Sequence, residues 1–155
     1  MKLSHFKMAV VTSLSVMVTQ AFAGQEGLTY RKAIQPLWEQ KCKMCHGASS
    51  PGLAEFNENK SKYKALNKGP RMDSYPALTH FVGWPDTGAM MRRLDDGKHT
   101  KDGKPGNMYL YLGANEEERQ NNLSVFKGWV SEAGWILKKF PDLTREDLGK
   151  MNVLE

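Results

Sequence analysis

The sequence predicts a mainly α-helical fold in one domain, and three observations carry that prediction. Leu123, Phe126, Val130 and Ala133 recur at helical spacing behind a capping Asn115. Further N-cap signals stand at Ser74, Asp86 and Thr144. The 155 residues, 40% of them apolar, suffice for one hydrophobic core and not for two large ones. No internal repeat is found, and an aromatic content of 10% argues against a disordered chain.

Residues 1–23 read as a cleaved secretory signal. Lys2 and Lys7 supply its basic start, Met8 to Val18 its short apolar run, and Ala21-Phe22-Ala23 a small-x-small cleavage site. The apolar run falls short of the ~20 residues that span a bilayer. No second such stretch follows, so no membrane span is expected after cleavage. The mature domain is predicted as 24–155, in the periplasm. Losing Lys2 and Lys7 lowers the net charge from +5 to +3, too mild a surplus to suggest nucleic acid.

Along the mature chain, Pro36 suits the first turn of a helix, which predicts an element from about Pro36 to Cys45 with Tyr30 to Gln35 leading into it. That element ends in Cys42-Lys43-Met44-Cys45-His46, a Cys-x-x-Cys-His motif. Its two thiols are spaced to add to the two vinyl groups of one haem, and the imidazole follows at once to bind the iron. A thioredoxin-like pair would want a strand before the motif, whereas the upstream residues look helical. A zinc site would need further ligands at pair spacing, and His80 and His99 do not supply them. A Cys42–Cys45 disulfide would close too small a loop to stabilise much. One covalent haem c is therefore expected, with His46 as the fifth iron ligand.

Residues 47–58 are turn-rich and read as loop, and Asn59 to Asn67 as a short lysine-rich helix with Tyr63 and Leu66 on one side. Asp73 or Ser74 caps a helix carrying Leu78, Phe81 and Val82, with Pro76 in its first turn and Gly83-Trp84-Pro85 ending it. Asp86 is expected to cap a helix through Leu94, and 95–107 to form a polar, hairpin-like excursion. The longest helix starts at Asn115, with Glu118 three residues on and acids in its first turn, and Gly134 is expected to end it. A last short helix is predicted from Thr144, with Asp147 in the reciprocal cap position.

Helical residues Ile34 to Lys41 running into Cys-x-x-Cys-His-Gly, a loop with Pro51 and Leu53, and an aromatic C-terminal helix together resemble the single-haem class I cytochromes c of bacterial periplasms. The likeness spans most of 28–140. It implies a class I cytochrome c-like helical fold wrapped around one covalently bound haem, here with enlarged loops. It also implies that the first and last long helices cross beside the haem, so that Ile34, Leu37 and Trp38 meet Phe126, Trp129 and Val130.

The axial pair decides whether such a haem passes electrons or binds small molecules. Met108 is the first candidate for the sixth ligand, because the resembled cytochromes place theirs in an irregular stretch before the C-terminal helix. Met91, Met90, Met72, His80, His99 and an open site stand as alternatives, with Met90 and Met91 read first as core residues on their helix. The free N–H of His46 is expected to donate to a carbonyl near Pro51. Arg71, Trp84 and Tyr75 are candidates for the haem propionates. Lysines cluster at 60, 62, 64 and 68 and at 98, 101 and 104, and would steer an acidic redox partner if either cluster rims the haem.

The expected function is an electron-transfer protein passing one electron between a redox donor and an acceptor, as a monomer or weak dimer. The alternatives are a haem enzyme or gas-binding sensor with an open sixth site, and a haem subunit of a larger oxidoreductase. No Gly-x-Ser-x-Gly or nucleotide-binding loop points to other chemistry.

Overall fold

The computed structural model describes residues 28–155, so the signal reading of 1–23 lies outside the described residues. Thr29 caps a π-helical turn, Tyr30–Ile34, which passes directly into α1 (Gln35–Lys41) with Pro36 in its first turn. The chain opens at Cys42, at φ −116°, and resumes as α2 (Lys43–His46). The single element predicted from Pro36 to Cys45 is thus two. No helix breaker stands at Cys42 to announce the break, and at the far end of α2 the carbonyls of Cys45 and His46 accept from Gly69 and Met72 at 2.8 and 2.9 Å.

Leu53–Glu58 forms α3, where a loop was expected, because the turn signals stop at Gly52 and six residues compatible with helix follow. It is followed by α4 (Lys60–Ala65), on which Tyr63 is buried and stacks on Phe56, ring centroids 6.3 Å apart. Leu66, expected beside Tyr63, lies past the helix and is exposed. Ser74 caps α5 (Tyr75–Thr79), its hydroxyl accepting from Ala77 N–H at 3.3 Å. Leu78, Phe81 and Val82 are all buried, although the helix itself stops before the last two.

Asp86 does not cap the next helix. Gly88 precedes α6 (Ala89–Leu94) at φ +75°, a conformation that favours glycine, and the Asp86 carboxylate pairs with Arg92 at 3.2 Å instead. The excursion at 95–107 is not a hairpin but a closed loop built on Asp95. That carboxylate is fully buried and accepts from Gly97 N–H at 2.9 Å, His99 N–H at 3.2 Å and the Trp135 indole at 2.9 Å, with His99 Nδ1 at 2.7 Å. The loop's far end returns to the Asp95 carbonyl through Gly106 N–H at 2.8 Å.

A 3₁₀ turn, Tyr109–Leu112, leads to α7 (Glu116–Val130). The Asn115 side chain accepts from Glu118 N–H at 2.9 Å, and Glu118 reaches back to Ala114 N–H at 2.7 Å. The helix ends at Val130 rather than Gly134, because Ser131 turns to φ +77° and its hydroxyl donates to the Lys150 carbonyl at 2.6 Å. Thr144 and Asp147 form the predicted reciprocal cap of α8 (Arg145–Gly149).

The N-terminal segment runs antiparallel to α7. The Tyr30 ring lies 6.4 Å from that of Trp129 near one end, and Lys41 pairs with Glu118 near the other. Ile34, Leu37, Trp38, Phe126, Trp129 and Val130 share one buried cluster, the packing the sequence predicted. Residues 152–154 strap that junction: the Leu154 carbonyl accepts from Tyr30 N–H and the Trp129 indole, both at 2.8 Å, and Asn152 N–H donates to Val130 at 2.9 Å.

Candidate haem centre

Cys42 and Cys45 stand as free thiols three residues apart on one turn, with His46 N–H bonded to the Cys42 carbonyl at 2.9 Å. Burial, with a smaller contribution from Cys45, pushes the Cys42 thiol up to about 12. A redox-active thiol needs the opposite shift, and Cys42 does not show it.

His46 Nδ1 lies 2.8 Å from the Pro70 carbonyl. A carbonyl can only accept, so Nδ1 carries the proton and Nε2 keeps its lone pair for a metal. The expected partner near Pro51 is corrected by this contact: the Pro51 carbonyl accepts from Arg71 N–H at 2.8 Å and serves to anchor the segment that holds His46. Gly69 lies flat against the ring, where a Cβ would come within 2.1 Å of Cε1. Burial first, and the charge of Arg93 further, lower the His46 pKa against the opposing Pro70 bond, which keeps the imidazole neutral as iron ligation requires.

The candidate sixth ligands fall into two groups. Met90 and Met91 are buried on α6 within the apolar cluster, and His99 is held by Asp95. Met108 is only partly buried, at the head of the 3₁₀ turn, with its N–H on the Arg93 carbonyl at 2.9 Å. Gly106, where a Cβ would lie 2.3 Å from that same carbonyl, lets the loop approach so closely. Met72 is partly buried and tied through its N–H to the His46 carbonyl.

The propionate candidates separate likewise. Arg71 lines an open cleft with Leu53, Ser74 and His80 and pairs with Asp73 at 2.7 Å. Tyr75 donates its hydroxyl to the Val153 carbonyl at 2.6 Å, and Trp84 stands exposed, edge-on to Phe140. Sequence reasoning missed Gly69 and Pro70, whose adjacency to Arg71 and Met72 was the available signal.

These residues fit a haem. The imidazole is clamped in the ligating tautomer, and the only buried side-chain polar atoms without a partner among the described residues, Trp38 Nε1 and His80 Nε2, are two ring nitrogens able to donate to an anionic group. A helical fold, strand-free among the described residues, with this centre defines a class I single-haem c-type cytochrome. A profile of the PccH cytochrome c family matches residues 29–154. The fold is similar to that of the monohaem cytochrome PccH from Geobacter sulfurreducens, with a TM-score of 0.76 and 53% identity over 83% of this chain and 98% of that one. No curated protein gave a match. The chain belongs to the PccH cytochrome c family: it is a single-haem c-type cytochrome with a two-cysteine attachment motif, and it acts as an electron carrier rather than a catalyst.

Proposed function

We propose that this cytochrome is exported to the periplasm as the mature domain 24–155 and exchanges single electrons through a haem held between His46 and Met108. The observation that carries the reading is the His46–Pro70 clamp, which commits one ring nitrogen to the Pro70 carbonyl and leaves the other for iron. When bound, the haem supplies the ferric–ferrous couple. The chain holds the ring, excludes water with Ile34, Leu37, Trp38 and Phe126, and thereby limits reorganisation as the charge changes. Met108 supports the assignment by its place: it is partly buried and emerges from a loop anchored at both Arg93 and Asp95, whereas Met90 and Met91 are packed away in the core.

The redox partner is proposed to be acidic. Met44 is 82% exposed within the attachment turn, and Lys68 bonds the Met44 carbonyl at 2.8 Å, tying the lysine-rich segment to the edge where the thioethers form. No helix among the described residues is long and apolar enough to cross a membrane.

The test is the absorption spectrum of the exported, oxidised protein. A weak far-red band from a methionine–iron bond is expected, abolished by Met108→Ala and kept by Met91→Ala. Absence of the band, with immediate carbon monoxide uptake by the reduced protein, would remove the methionine-ligated carrier from consideration.

A further inference from the structure

We infer that His80 is a haem-binding residue, its Nε2–H donating to one haem propionate. The inference rests on the covalent haem and not on the identity of the sixth ligand. Haem brings two carboxylates into the protein, and a buried carboxylate needs donors. Among the described residues only Trp38 Nε1 and His80 Nε2 are buried side-chain polar atoms without a partner.

The chemistry of the porphyrin separates the two. Its vinyl groups and its propionates lie on opposite edges, so the cysteines mark the vinyl edge. Trp38 sits one helical turn before Cys42, whose N–H bonds the Trp38 carbonyl at 2.8 Å, and so belongs to the vinyl edge. His80 comes from a different element, at the end of α5, with its ring 5.0 Å from that of Phe81. It also lines the same cleft as Arg71 and Ser74, a guanidinium and a hydroxyl that suit a carboxylate. Asp73 on that cleft already holds Arg71 at 2.7 Å, which leaves the guanidinium partly neutralised and makes the His80 N–H the uncommitted donor.

The consequence is a positioning role with an electrostatic readout. An N–H directed at a propionate offsets part of its negative charge, and that charge favours ferric iron. Losing the donor therefore lowers the reduction potential, while a side chain that keeps an N–H at similar reach restores it.

The experiment uses the exported, haem-loaded protein with its propionate carboxylates labelled in carbon-13. Redox-difference infrared spectra and potentials are compared for the unmodified protein, His80→Phe, His80→Gln and Trp38→Phe. The expected result is a shifted carboxylate band and a lower potential in His80→Phe, both moved back towards the original values in His80→Gln; Trp38→Phe alters the haem shell and so can move the potential, but should leave the carboxylate band in place. A folded His80→Phe protein with band and potential unchanged, or a band that responds to Trp38→Phe instead, overturns the inference. If His80→Phe does not accumulate, proton NMR of the unmodified ferrous protein decides. An Overhauser contact between the His80 ring and a propionate methylene supports the assignment, and its absence from an otherwise assigned haem defeats it.

Discussion

Gly69 has a job that only glycine can do in this place, since any Cβ would overlap the His46 imidazole. Gly69→Ala is therefore expected to tilt the ring off the Pro70 carbonyl and to destabilise the fold by about 1–3 kcal/mol, the usual cost of overpacking a filled site. The check is a urea midpoint together with the haem-stained yield, both of which should fall, whereas Gly52→Ala, with open space around the added carbon, should leave both unchanged. At this scale the Cys-x-x-Cys-His motif was legible because its spacing is a chemical requirement. The Pro70 contact was not, because it joins residues 24 apart and sequence offers no distance between them. Tyr75 and Trp84 show how far sequence goes in placing a side chain: the Tyr75 hydroxyl donates to the Val153 carbonyl and the Trp84 ring is exposed, neither of which its neighbours in sequence announce.

Helix ends carry the next set of expectations. In α8, hydrogen bonds from Lys138, at 2.7 Å, and from Thr144 hold the Asp147 carboxyl at about 2, below its ordinary value near 3.8. A carboxylate with a lowered folded-state pKa stabilises the fold above its unfolded value and loses that contribution as pH falls through the folded one. The stability gap between the unmodified protein and Asp147→Asn should thus be full near neutrality, shrink below about pH 4 and lose its charge-linked part only below about pH 2, as thermal unfolding across that range will read. Caps at Asn115 and Thr144 were readable in advance because a cap is a local exchange of hydrogen bonds. The early stop of α7 at Ser131 was hidden, since its cause is the Lys150 carbonyl far along the chain. The loop at 95–107 belongs to the same lesson: it read as a polar, hairpin-like excursion, but Asp95 is buried among four donor contacts. Asp95→Asn turns an amide N–H₂ towards those donors, and the expected loss is roughly 2–3 kcal/mol. Because this loop carries Met108, imidazole should also displace the sixth ligand of Asp95→Asn more readily, measured by titration of the ferric spectrum.

Across the whole molecule, the strap at 152–154 closes the junction of the N-terminal segment with α7. Deleting residues 151–155 removes the acceptors of Tyr30 N–H, the Trp129 indole and the Tyr75 hydroxyl and the donor to Val130. At about 1 kcal/mol net for each bond, a loss on the order of 4 kcal/mol is expected, seen as a lower urea midpoint with an earlier change in tryptophan fluorescence. The helical class was legible from periodicity and caps, whereas the pairing of the first and last long segments was implied by the resemblance to class I cytochromes c. The strap was not, because its bonds run through backbone atoms that every residue possesses.

The clamp on His46 also closes a circuit. Gly69 and Met72 bond to Cys45 and His46, and Arg71 to Pro51, so everything from α3 through α4 leaves and re-enters the molecule at one stitched seam. That makes the stretch a replaceable module. Apart from Leu53, which packs on the core and lines the cleft of His80, its length and charge can be rewritten by exchange with a foreign segment while the His46 ring stays in register, which offers a route to redirecting the carrier to a chosen partner.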